Sequence, residues 1–196
     1  MSQSEAERWN EKYRQESEFW LQLEPRQLLT SFVHRLPQRG RALDAACGVG
    51  INAGYLAKHG LKVFGIDISE YALRLANRHS KKMGLSLELV VADLSHPWLP
   101  PEFFDVITNF HFLERAAIPV YRRALKRGGF ILFETFMATD NTIDTPEYYL
   151  LPGELGNLFY DFEIIHYSEE LLEPGQSHGE RGVVQLVARK PAVNQN

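Results

Sequence analysis

The chain has 196 residues, of which 44% are hydrophobic, 12% aromatic and 23% charged. That balance fits one globular domain, long enough to bury a core without covalent staples. Lys and Arg number 21 against 25 for Asp and Glu, a net charge of −4. With no basic run, this argues against a nucleic-acid partner, whose binding rests on neutralising phosphates. The single cysteine excludes an internal disulfide and a thiolate zinc cage, and fits a reducing, cytoplasmic compartment. The charged start MSQSEAERWNEKYRQ predicts no signal peptide, and no run of about 18 apolar residues predicts a membrane span.

Trp9, Tyr13 and Trp20 recur near helical spacing and predict an amphipathic first segment. Leu28, Leu29, Phe32, Val33 and Leu36 form a second helical stripe between Pro25 and Pro37. From residue 41 strands and helices alternate. RALDAAC (41–47) reads as a strand entering a glycine-bearing turn, with a helix over 51–59; KVFGID (62–67) is a second strand. Ser69 caps the next helix, whose apolar face is Ala72, Leu73, Ala76 and Met83, and Gly84 ends it. LELVVAD (87–93) and FDVITNF (104–110) are further strands. A helix from Pro119 to Gly128 and Gly129 leads into GFILFETF (129–136). After about 137 the pattern loosens, then gives a short helix near 152–160 and two closing strands, FEIIHYS and GVVQLVARK. Alternation of buried strands with helices predicts an α/β fold, a parallel sheet with helices on both faces. Two successive strands at the end predict an antiparallel hairpin. The expected organisation is one domain: a helical cap (1–40), a ligand-binding core (41–137), a loop and hairpin (138–190) and a tail (191–196).

In such a sheet ligands bind beyond the carboxyl ends of the strands. Those ends carry Asp44 with the loop AACGVG, then Asp67, Asp93 and Asn109. Gly48 and Gly50 let the backbone approach a ligand closely. Asp67, 17 residues after Gly50 at the end of the second strand, is placed to accept hydrogen bonds from a ribose diol. A pyrophosphate beside Asp44 would be repelled, which disfavours an NAD(P)-dependent oxidoreductase. A sulfonium with an ammonium group would be attracted, which favours S-adenosylmethionine.

LDAACGVGINAGYLA, VFGIDIS, VVADL and FDVITNFHFLE, in that order, resemble the motifs of class I S-adenosylmethionine-dependent methyltransferases over residues 41–137. Ala46 departs from the family's first glycine. The resemblance implies a Rossmann-like, seven-stranded, mostly parallel sheet with an antiparallel last strand. It also implies that Asp44 and the backbone of Ala46, Gly48 and Gly50 surround the methionine part of the cofactor. Asp67 would hold the ribose, with Ile68, Ala92, Asp93 and Leu94 around the adenine, and Asn109 with Phe110 near the sulfonium. The segment 145–170 followed by GVVQLVARK is similar to the C-terminal part of tellurite-resistance and related small-molecule methyltransferases.

Several residues are candidates for the acceptor side. His111 is placed to orient or deprotonate a nucleophile. Trp9 and Tyr13 either fold over the cofactor as a lid, with Tyr13 touching it, or pack a helix onto the sheet. Tyr148 and its neighbours suit a small, partly aromatic enclosure. His178 and Arg181 either reach the acceptor or sit in a solvated hairpin loop. Cys47 reads as packing rather than a nucleophile, and no histidine spacing predicts a metal. The expected reaction is methyl transfer to a small, soft acceptor such as a thiol or chalcogen oxyanion. A non-catalytic S-adenosylmethionine-binding protein is the alternative within the same cofactor class.

Overall fold

The computed structural model describes residues 3–139, 148–171 and 182–192. In chain order the elements are α1 (Gln3–Gln15), α2 (Ser17–Leu21), α3 (Gln27–Phe32), β1 (Arg41–Ala45), α4 (Ile51–Lys58), β2 (Lys62–Asp67), α5 (Glu70–Lys82) and β3 (Leu87–Val91). They continue with β4 (Phe104–Phe110), α6 (Ala117–Ala124), β5 (Leu125–Met137), α7 (Glu154–Leu158), β6 (Glu163–Leu171) and β7 (Gly182–Arg189). The seven strands form one sheet in the order β3-β2-β1-β4-β5-β7-β6. The first five are parallel, and β7 runs antiparallel to both β5 and β6. The expected Rossmann-like sheet with a reversed last strand is therefore present.

Alternation along each strand sends side chains to opposite faces and builds two cores. Leu43 and Ala45 of β1 join Ile107, Tyr121, Leu155 and Phe159 on one face. Ala42 joins Leu28, Leu56 and Leu61 on the other. Ser69 caps α5 by accepting from the Ala72 N–H at 3.1 Å, and Gly84, at φ +70°, follows its end. α1 lies over the start of α5. Asn10 Oδ1 there accepts from Ser69 Oγ at 2.8 Å and the Tyr71 N–H at 3.0 Å.

Three expected boundaries move. The predicted helix from Pro119 to the glycine pair starts earlier, at Ala117, because proline is tolerated inside a first helical turn. It also ends at Ala124, because Leu125 pairs with Phe104 as the first residue of β5. The register then shifts, and Gly128, at φ +75°, and Gly129 take up the irregularity. Lys126 secures it, with Nζ 2.8 Å from both Asp105 carboxylate oxygens. The predicted third strand stops at Val91, short of Asp93. Among the described residues, no helix is long and apolar enough to cross a membrane.

Candidate active site

Sheet order reverses direction on either side of β1, with β2 to one side and β4 to the other. A cavity of about 540 Å³ opens there, beyond the carboxyl ends of these strands. Its floor is the turn after β1. Ala46 (φ +52°) and Gly48 (φ +53°) are both left-handed, so Ala46 holds a strained conformation that a glycine would adopt freely. The turn is latched from below: the Gly48 N–H donates to Asp67 Oδ2 and the Ser69 N–H to Asp67 Oδ1, each at 2.8 Å. Asp67 still lines the cavity, and a carboxylate has about four acceptor positions, so with the Gly48, Ser69 and Ile68 N–H groups bound to it some acceptor capacity remains for a ligand hydroxyl. Burial raises the Asp67 carboxyl above its ordinary range, opposed by these N–H donors.

Ile68, Ala92 and Leu94 line one wall, and Phe110, His111 and Phe112 the opposite one. Trp9, Tyr13 and Trp20 form the roof, with Tyr13 ring centroids 5.8 Å from Trp9 and 5.0 Å from Trp20. A methyl group on Gly48 would sit 2.6 Å from the Tyr13 hydroxyl, so that glycine leaves room for the roof to meet the floor. Tyr13 is also packed with Val49, Ala72 and Leu75. The N-terminal segment is thus both a packed helix and a cover over the cavity. Tyr148 is exposed and borders the cavity at its rim.

Four of the motif residues lie elsewhere. Asp44 is buried beneath the floor, where Oδ1 accepts from Thr108 Oγ1 at 2.8 Å and, among the described residues, Oδ2 has no side-chain hydrogen-bond partner. Burial pushes its carboxyl up to about 7, against the pull of Thr108. Gly50, at φ +77°, is needed for packing: a Cβ there would stand 2.9 Å from Ala76 Cβ on α5. Asn109 turns its amide to the Phe112 carbonyl at 2.7 Å and braces the β4–α6 turn from below. Asp93 folds back to accept from the Ser95 N–H at 2.8 Å, away from the cavity lining. Cys47 is buried against Gly65, and burial raises its thiol pKa, so it packs rather than reacts. His178 and Arg181 lie outside the described residues. Among the described residues, no cluster of His, Cys, Asp and Glu could hold a metal ion.

The motifs passed over Arg26 and Glu134. Arg26 lines the cavity, and its Nε donates to Glu134 Oε1 at 2.9 Å, while its backbone N–H donates to Asn52 Oδ1 at 2.9 Å. The one available signal was Glu134 itself, a charged residue within the apolar run GFILFETF.

Residues 43–133 match the family model described as a methyltransferase domain. Over this segment the chain is similar to a methyltransferase domain. The resemblance to class I S-adenosylmethionine-dependent methyltransferases, drawn from four motifs in order, is thereby upheld. The chain is 38% identical over 109 residues to a ubiquinone biosynthesis O-methyltransferase of Thiobacillus denitrificans, covering 52% of this chain and 47% of that protein. It thus spans about half the length of the curated relatives it matches. TehB from Haemophilus influenzae superposes with a TM-score of 0.68 at 22% identity, over 83% of this chain and 61% of that one. A methyltransferase from Methanosarcina mazei, described as S-adenosylmethionine-dependent, gives 0.69 at 24% identity, over 87% of this chain and 100% of that one. At such identities the structural likenesses establish the shared methyltransferase fold.

The methyltransferase cofactor, S-adenosylmethionine, fits the residues present. Asp67 has acceptor capacity facing the cavity, and the turn lines the cavity through Ala46 and Gly48, the latter covered by the Tyr13 hydroxyl. Asp44 beneath the same turn, with an oxygen that has no side-chain partner among the described residues, favours a cationic ligand over a pyrophosphate.

Proposed function

We propose that this protein transfers a methyl group from S-adenosylmethionine to a small-molecule acceptor. The observation that carries the reading is the two-ended cavity. Asp67 and the glycine turn lie at one end; His111, Arg26 and Tyr148 line the other. A volume of about 540 Å³ suits a cofactor with a small partner and is a poor fit for a polymer. The bound cofactor supplies a methyl group on a positively charged sulfur. Asp67 holds the ribose hydroxyls, and Ile68, Ala92 and Leu94 enclose the adenine. Asp44 acts through the floor as counter-charge. Phe110 closes the side near the sulfonium. The aromatic roof of Trp9, Tyr13 and Trp20 excludes water. Catalysis then comes chiefly from alignment of the acceptor atom with the methyl group.

For the acceptor we favour a soft nucleophile, a thiol or chalcogen oxyanion, met by Arg26 and His111. A hydroxyl acceptor is the second reading. It is favoured by the O-methyltransferases of ubiquinone biosynthesis among the relatives and by a histidine at the cavity wall. In this reading residues 1–196 form one domain that acts in the cytoplasm on a small molecule, without nucleic acid or membrane.

A thermal-shift panel tests the cofactor. S-adenosylmethionine and S-adenosylhomocysteine should raise the melting temperature, stabilising by about 2.7 kcal/mol at a hundredfold excess over Kd. NAD, NADP and ATP should leave it unchanged. A response to NADP alone would reverse the assignment in favour of an oxidoreductase. Binding without turnover of thiol, chalcogen oxyanion or hydroxyl acceptors would favour a non-catalytic role.

A further inference from the structure

Glu134 sits on β5 with its side chain only 2% exposed. A carboxylate removed from water costs several kcal/mol unless its lone pairs are satisfied. Here they are: Oε1 accepts from Arg26 Nε at 2.9 Å and lies 3.0 Å from His111 Nε2, while Oε2 accepts from Gln185 Nε2 of β7 at 2.8 Å. His111 is held from a second direction, its backbone N–H donating to the Glu134 carbonyl at 2.8 Å. Its backbone is left-handed at φ +55°, a conformation unfavourable for a non-glycine residue and retained here by the surrounding contacts. Phe136 lies beside the ring at 4.8 Å between centroids. Among the described residues Nδ1 has no hydrogen-bond partner, and His111 lines the cavity.

We propose that Glu134 is a positioning residue that holds His111 as proton acceptor for a methyl acceptor arriving in protonated form, a thiol or a hydroxyl. This rests on the methyltransferase reading above and narrows its acceptor. Arg26 Nη2 lies 3.0 Å from His111 Nε2 as well, but it donates to Glu134 Oε1 at 2.5 Å. An ionised carboxylate oxygen only accepts and can take both N–H groups, so the neutral imidazole keeps its proton on Nε2 and its lone pair on Nδ1. In the transfer, the acceptor atom forms a bond to the methyl carbon, and the carbon–sulfur pair passes to sulfur, leaving a neutral thioether. The acceptor's proton goes to Nδ1, and the resulting imidazolium faces the Glu134 carboxylate until it returns the proton to solvent. Two charged groups face His111: Arg26, from the segment ahead of α3, opposes the imidazolium, and Glu134 offsets that opposition. His166 of β6 reaches the cluster only through Gln185, at 3.4 Å. Burial alone would raise the Glu134 carboxyl; His111 and Arg26 hold it below its ordinary range, so it stays ionised.

The test uses the full chain labelled with ¹⁵N-histidine, with S-adenosylhomocysteine added, and a His111→Gln variant to assign the signal. Long-range ¹H–¹⁵N spectra report the tautomer of His111. The expected wild-type result is a neutral imidazole protonated on Nε2. In Glu134→Gln the side-chain amide can offer either an acceptor or a donor to Nε2, so the Nε2–H form should give way to a mixture of both tautomers. A wild-type Nδ1–H tautomer would overturn the proposal. So would an unchanged tautomer in Glu134→Gln, which is what a merely structural glutamate would give. Should Glu134→Gln fail to fold, the wild-type tautomer decides the matter alone. Calorimetric titration of S-adenosylhomocysteine into the same wild-type sample tests the cofactor reading separately, so either can fail without the other.

Discussion

Replacing Asp44 with asparagine perturbs one buried charge and little else. The two side chains have nearly the same shape, and the oxygen that accepts from Thr108 is retained. In the wild type, burial moves the carboxyl from the ordinary 3.8 up to about 7. The native state therefore keeps this proton to higher pH than the unfolded chain does. The stability it contributes is complete below about pH 4, declines as pH rises, and is lost once pH passes the native value near 7. A displacement of that size corresponds to roughly 4 kcal/mol in total, of which about 2–3 kcal/mol falls between pH 5 and 8. Asparagine carries no such titration. Urea unfolding of both proteins without cofactor, from pH 5 to 8, should show wild-type stability falling relative to Asp44→Asn by about that amount. At pH 8 the variant should be the more stable protein, and it should also bind S-adenosylmethionine more weakly, having lost the counter-charge. Parallel stability curves across the whole range would refute the argument, by showing that Asp44 ionises as easily in the fold as in the unfolded chain.

Asp67→Ala should weaken cofactor binding by roughly 1.5–3 kcal/mol per ligand hydrogen bond lost, read by calorimetry. It should also cost stability, because the Gly48 and Ser69 N–H groups lose their acceptor; unaltered affinity in a folded variant would move the ribose elsewhere. Gly50→Ala should destabilise by about 1–3 kcal/mol in thermal unfolding, since the residue is left-handed and the new methyl meets Ala76 Cβ at 2.9 Å. A wild-type melting temperature would show that α4 and α5 can separate to admit it.

Periodicity and punctuation alone determined the succession of strands and helices from β1 to β7. The reason is local: runs such as RALDA and FDVITNF have no other way to hide their apolar residues, and Ser69 and Gly84 mark helix ends by their own chemistry. The place of Asp67 and Gly48 in the cavity lining was legible too, because they lie at the ends of neighbouring parallel strands, where spacing along the chain fixes position in space. The tertiary structure decided what those residues do. Asp44, Gly50 and Asn109 belong to the same motifs, yet their side chains or their packing serve the floor rather than the cavity surface, a distinction set by which neighbour fills each space. Leu125 joins the sheet rather than the helix because a partner 21 residues earlier, Phe104, is available to pair with it. The Arg26–Glu134–His111 cluster was the least readable. Its members are separated by up to 108 residues and meet only because β4, β5 and the segment before α3 converge at one end of the sheet. No local pattern encodes that meeting; it depends on sheet order, which is a property of the whole fold.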